Sequence, residues 1–130
     1  SNVKFKQLDF INYKNRKYDL LTCLGVIAKS NINLCQFFIK ASKLIKKNGF
    51  IMVDFKNREW FKFNKSNFFP DTVHLWFSKQ EIISSVKNSK QFQIEKLVGY
   101  LPKKNKIVPT AKSHTLFLIA RRTNKSILKN

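Results

Sequence analysis

Glycine, proline, cysteine and acidic side chains are all scarce in this 130-residue sequence, at three, three, two and seven residues. Gly25, Gly49 and Gly99 stand far apart, so no glycine-rich loop cradles a phosphate. Cys23 and Cys35 have no metal or redox spacing, which excludes a disulfide framework and a zinc module. Both sit among apolar residues and read as buried, reduced thiols of a cytoplasmic protein. The seven carboxylates form no pair at a spacing that suggests an acid–base dyad. His74 and His114 lie beside apolar, strand-like residues without a ligand partner in pattern, so no metal is expected and no catalytic residue stands out. Serine-elbow and metalloprotease motifs are absent. No apolar run is long enough for a membrane-spanning helix, and no secretory signal opens the chain.

What is abundant is positive charge: 26 Lys and Arg give a net charge of +19. The excess is 22 Lys against 4 Arg, beside 13 Asn and 13 Phe, all but Arg residue types with A/T-rich codons. The lysines are scattered, and the densest patches are Lys103-Lys104-Asn105-Lys106 and the tail from Arg121. Base reading and phosphate clamping favour arginine forks. Weak attraction to polyanions is therefore expected, and specific nucleic-acid recognition is not. The 43% hydrophobic content is that of a globular chain, and its length is that of one domain, 1–130.

Alternation over Val3–Phe10 predicts a short strand ending at Asp9-Phe10. Tyr18–Ile27 is almost wholly apolar after Asp19 and predicts a strand buried on both faces, as in a parallel sheet. From Asn31 to Lys47, apolar residues at Leu34, Phe37, Phe38, Ala41, Leu44 and Ile45 follow helical spacing. Lys46 and Lys47 suit the negative end of that helix, and Gly49 fits as the left-handed residue closing it. Phe50–Phe55 then predicts a second buried strand, parallel to the first. Residues 57–77 form an aromatic insertion. Ser78-Lys79-Gln80-Glu81 is a capping box that starts a helix burying Ile82, Ile83 and Val86. Phe92–Tyr100 and His114–Ala120 predict a last, antiparallel strand pair joined by a loop, and 121–130 reads as a frayed basic tail.

This order resembles the C-terminal half of a class I S-adenosylmethionine-dependent methyltransferase, closest to the ubiquinone-biosynthesis type. Tyr18-Asp19-Leu20-Leu21-Thr22-Cys23-Leu24 resembles the fourth-strand motif of that superfamily. Leu44-Ile45-Lys46-Lys47-Asn48-Gly49-Phe50 resembles its leucine-leucine-lysine-proline-glycine-glycine turn, with Lys47-Asn48 in place of Pro-Gly. Phe77-Ser78-Lys79-Gln80-Glu81-Ile82 resembles the helix after the substrate region. The resemblance runs from Val3 to Arg122. It implies an α/β fold with a Rossmann-like sheet, mostly parallel with an antiparallel C-terminal strand pair and lacking the N-terminal strands of the full fold. It also implies an S-adenosylmethionine cofactor, with Asp9 and the Phe10 N–H at the adenine and Leu24 and Gly25 near the methionine portion.

Two departures qualify the enzyme reading. The family's glycine-rich loop has no counterpart, and Ala28-Lys29-Ser30 stands where close relatives carry Glu-His. Without the family's first strand, the fourth strand would expose an apolar edge, for a homodimer, a partner chain or the segment Val3–Phe10 to cover. The expected function is methyl transfer to a small-molecule or cell-envelope acceptor by the full-length protein. The alternative is a non-catalytic fragment or partner subunit that binds polyanions. The insertion suits a lid over a flat acceptor, with Trp60, His74 and Trp76 as acceptor contacts.

Overall fold

The computed structural model describes residues 17–27, 33–63 and 75–123. The expected strand at Val3–Phe10 lies outside them, as do Asp9, Phe10, His74 and residues 124–130.

The fold is α/β. Its elements are β1 (Tyr18–Cys23), α1 (Leu34–Ser42), β2 (Ile45–Asn57), β3 (Trp76–Phe77), α2 (Lys79–Ser89), β4 (Phe92–Leu101), β5 (Lys106–Val108) and β6 (Thr115–Arg122). The sheet order is β1-β2-β6-β4-β5, and β3 adds to the end of β2. The sheet is mixed rather than mostly parallel. β1–β2 and β2–β3 are parallel, while β2–β6, β4–β6 and β4–β5 are antiparallel. The reason lies in the connections. A helix carries the chain from β1 to β2, whereas β4 reaches β6 through short turns, so β6 returns reversed and inserts between β2 and β4.

α1 starts where Asn33 accepts the Gln36 N–H (3.1 Å), and it buries Leu34, Phe37, Phe38 and Ala41. It ends sooner than its apolar stripe suggests. Leu44 still turns back on Ala41, but its carbonyl accepts the Tyr18 N–H (2.7 Å), and Ile45 already pairs with Tyr18 in the sheet. Lys46 and Lys47 therefore lie on β2, not in a last helical turn. Between Ile45 and Phe50 the strand bulges: two steps along β1 match five along β2. The left-handed residue is Asn48 (φ 63°), not Gly49. Gly49 serves by close approach, since a Cβ there would stand 2.8 Å from the Asp19 carbonyl and 2.9 Å from that of Lys46. Asn48-Gly49 thus re-aims a strand instead of closing a helix.

α2 is capped as the sequence predicts, with Ser78 Oγ accepting the Glu81 N–H (3.1 Å). Ile82 and Val86 pack with α1 onto one face of the sheet, against Ile51, Val53, Phe55, Leu116, Leu118 and Ala120. The opposite face carries an apolar groove of about 340 Å³, lined by Met52, Val98, Tyr100, Ile107, Phe117 and Ile119 with Lys96. Arg121 and Arg122 belong to β6 rather than to a frayed tail. Arg121 binds Glu95, Asn48 and Gln93, and Arg122 donates to the Ile45 carbonyl.

Candidate functional site

β1, β2, β3 and β4 run in one direction, so their carboxyl ends share one edge of the sheet, where the start of β6 also lies. Open α/β sheets place ligands at that edge. On one flank of β2, β1 ends opposite Val53 and β3 begins opposite Lys56. The flank changes partner over an interval of roughly 10 Å. Asp54 stands in that interval, and its carboxylate accepts the Gly25 N–H at 2.7 Å.

Leu24 and Gly25 form the lip of β1. Gly25 takes the left-handed conformation (φ 72°), and no atom lies within 4 Å of where its Cβ would be. Leu24 and Val26 are each 51% exposed, so the lip is open and apolar. Cys23, just beneath, is buried. Burial, and second the Asp54 carboxylate, push its thiol up from 9.0 to about 11. It stays protonated and is no nucleophile at neutral pH.

Across the interval stands the aromatic group. Trp76 packs on Phe63 (5.2 Å between centroids), and the Phe63 N–H reaches the Trp60 carbonyl (2.8 Å). Trp60 meets Phe61 (6.3 Å) and His114 (5.6 Å) edge to face. Two ammonium groups cap these rings. Lys56 Nζ lies 5.1 Å from the Trp76 centroid, and Lys62 Nζ lies 5.9 Å from Trp60 and 5.6 Å from Phe61.

The scaffold beneath is Asn57, fully buried at the end of β2. Its Nδ2 donates to the carbonyls of Thr110 (2.8 Å) and Ser113 (3.0 Å), and its Oδ1 accepts the Glu59 N–H (2.9 Å). Its backbone N–H meets the His114 carbonyl at 2.8 Å. This clasp sets Trp60 and His114 beside each other, and the Phe61 N–H adds a bond to the Ala111 carbonyl (2.9 Å). The neighbouring carboxylates are engaged: Glu59 accepts the Lys79 N–H, and Glu81 pairs with Arg58.

Of the sequence-predicted site residues, the structure joins Trp60 to Trp76 through Phe63. It sets Leu24 and Gly25 on the same edge at the far side of Asp54. Asp9, Phe10 and His74 lie outside the described residues. Sequence reasoning missed Asn57 and took His114 as structural. His114 exposes its ring at this edge, with Nδ1 2.8 Å from Thr115 Oγ1. Partial shielding from water, then the Lys56 charge, lower its pKa, so the imidazole is neutral at pH 7 and able to accept a proton. Among the described residues no group of three or more His, Cys, Asp or Glu is placed to hold a metal, and no helix is long and apolar enough to cross a membrane.

No protein-family model matches the sequence, and no curated protein matches it. Solved structures do. A S-adenosylmethionine-dependent methyltransferase from Clostridium acetobutylicum ATCC 824 superimposes with a TM-score of 0.65 at 17% identity, over 90% of this chain and 63% of that one. Magnesium protoporphyrin IX methyltransferase from Synechocystis PCC 6803, solved with bound S-adenosylhomocysteine, gives 0.61 at 16% identity, over 89% and 49%. A S-adenosylmethionine-dependent methyltransferase from Mesorhizobium loti gives 0.66 at 9% identity, over 94% and 70%. The fold is that of class I S-adenosylmethionine-dependent methyltransferases. The chain spans less than two thirds of the length of the first two neighbours.

Proposed function

From that fold we propose that the protein acts in S-adenosylmethionine-dependent methyl transfer, with a small-molecule or cell-envelope acceptor. The observation carrying this reading is the sheet itself. Its order, with a reversed β6 between β2 and β4, matches the methyltransferase neighbours over about 90% of the chain. When bound, the cofactor supplies an electrophilic methyl group on a sulfonium centre. The residues at β1 fit one end of such a molecule: the Leu24–Gly25 lip is apolar, open and free of obstructing atoms. Asp9 and the Phe10 N–H are the proposed adenine contacts. Trp60, Trp76 and His74 are the proposed acceptor contacts, and His114, neutral and in ring contact with Trp60, is added to them as a proposed proton acceptor. Holding the acceptor in line with the methyl group is the main requirement of this chemistry.

The reading includes a further strand along the outer edge of β1, from a second copy or a partner chain. Leu20, Leu24 and Val26, each about half exposed, support it. A second reading has a specific observation in its favour. Gly25, Gly49 and Gly99 stand far apart and form no glycine-rich cofactor loop, which suits a non-catalytic methyltransferase-like fragment or partner subunit.

Calorimetric titration with S-adenosylhomocysteine at moderate salt separates the two. The enzyme reading expects micromolar binding, weakened in Asp9→Ala. No binding at millimolar concentration, with the chain folded by circular dichroism, means that this half alone is inert; the enzyme reading then holds only for a longer natural chain or a two-subunit complex.

A further inference from the structure

The rings at the carboxyl edge carry cations that no carboxylate pairs among the described residues. Lys56 and Lys62 lie over Trp76, Trp60 and Phe61. The ion pairs of the described residues are Lys46–Asp19, Arg58–Glu81 and Arg121–Glu95, and none uses either lysine. The two carboxylates nearest in the chain are occupied elsewhere, Asp54 by the Gly25 N–H and Glu59 by the Lys79 N–H, and Glu81 pairs with Arg58. Neutral His114 adds no negative charge. Phe61 is 53% exposed, yet its backbone is fastened to Ala111, so it offers a held, open ring face. An ammonium over an aromatic face keeps N–H donors free for an anion, and the ring beside it offers stacking area. These two requirements meet in one class of molecule.

We propose that this cluster binds a planar aromatic or conjugated molecule bearing a carboxylate or phosphate, and that this is the acceptor class of the transfer reaction. The ring of the acceptor stacks on Phe61 and Trp60, while Lys62 and Lys56 hold its anionic group. The assignment as acceptor rests on the methyl-transfer reading; the binding site itself does not.

The sequence has two tryptophans, both in this cluster, so two indole N–H resonances report on it directly. Nitrogen-15 NMR titrations with 2-naphthoate, its neutral amide and cyclohexanecarboxylate form the test. Selective shifts of the indole resonances by 2-naphthoate are expected, at least tenfold tighter than for either other probe. Lys62→Gln should bring naphthoate down to the amide, Phe61→Ala should weaken both, and Lys87→Gln, on α2, should change nothing. Equal binding of acid and amide overturns the proposal. So does a loss in Lys87→Gln as large as in Lys62→Gln, or the absence of indole shifts. Titration of the same sample with S-adenosylhomocysteine keeps the two readings apart. Naphthoate selectivity without cofactor binding supports the site and removes its role as acceptor pocket. Cofactor binding without naphthoate selectivity overturns the site alone.

Discussion

β2 has two flanks, and the strands beside it have opposite fates. β6 pairs with β2 over seven residues and with β4 on its other side, and Leu116, Leu118 and Ala120 are fully buried. β1 pairs over five residues and has no outer neighbour among the described strands. Its sequence is as apolar as that of β6, yet Tyr18 is 38% and Leu20 52% exposed, and of its six residues only Cys23 is buried. Apolar composition marks a segment that gains by burial. Position in the sheet decides whether the gain is realised.

Leu118→Ala should lose about 2–5 kcal/mol in urea unfolding, because a buried leucine leaves a cavity in a tight core. Asn57→Ala, at the end of the same flank, should lose about 2–4 kcal/mol by stranding two buried carbonyls. Cys23 gives β1 its one pH signature. The unfolded thiol loses its proton near pH 9.0 and the folded one near 11, so its contribution is intact below pH 9 and falls as pH rises through that window. From pH 8 to 10.5 the protein should lose about 2 kcal/mol more than Cys23→Ala does. Smallest of all, Leu20→Thr should move stability by less than about 0.5 kcal/mol, the range of surface changes. A loss near that of Leu118→Ala, with a smaller sedimenting species, would instead show β1 covered by a second copy rather than left for a partner chain, and erase the contrast.

The same contrast governs what was legible in the sequence. Helices α1 and α2 were readable because their apolar spacing and, for α2, the Ser78 cap are local signals. The end of α1 was not, since Leu44 and Ile45 continue its stripe while the sheet claims Ile45 through Tyr18. β5 is three residues long with Ile107 exposed, and it exists only because β4 pairs with it. At the site, Trp60 and Trp76 announced themselves by type. Asn57 did not, because its partners lie more than fifty residues away. His114 looked structural beside an apolar strand, and only the clasp of 110–114 onto β2 turns its ring to the edge.

That clasp has a consequence for how the chain tolerates change. Among the described residues, the segment after β4 meets the end of β2 at Thr110–His114, where the Asn57 side chain and two backbone bonds seat it. Upstream, residues 102–105 make none of these bonds, so insertions there should leave the socket in place. The turn above this edge can therefore be exchanged by loop grafting while the sheet that carries it stays the same.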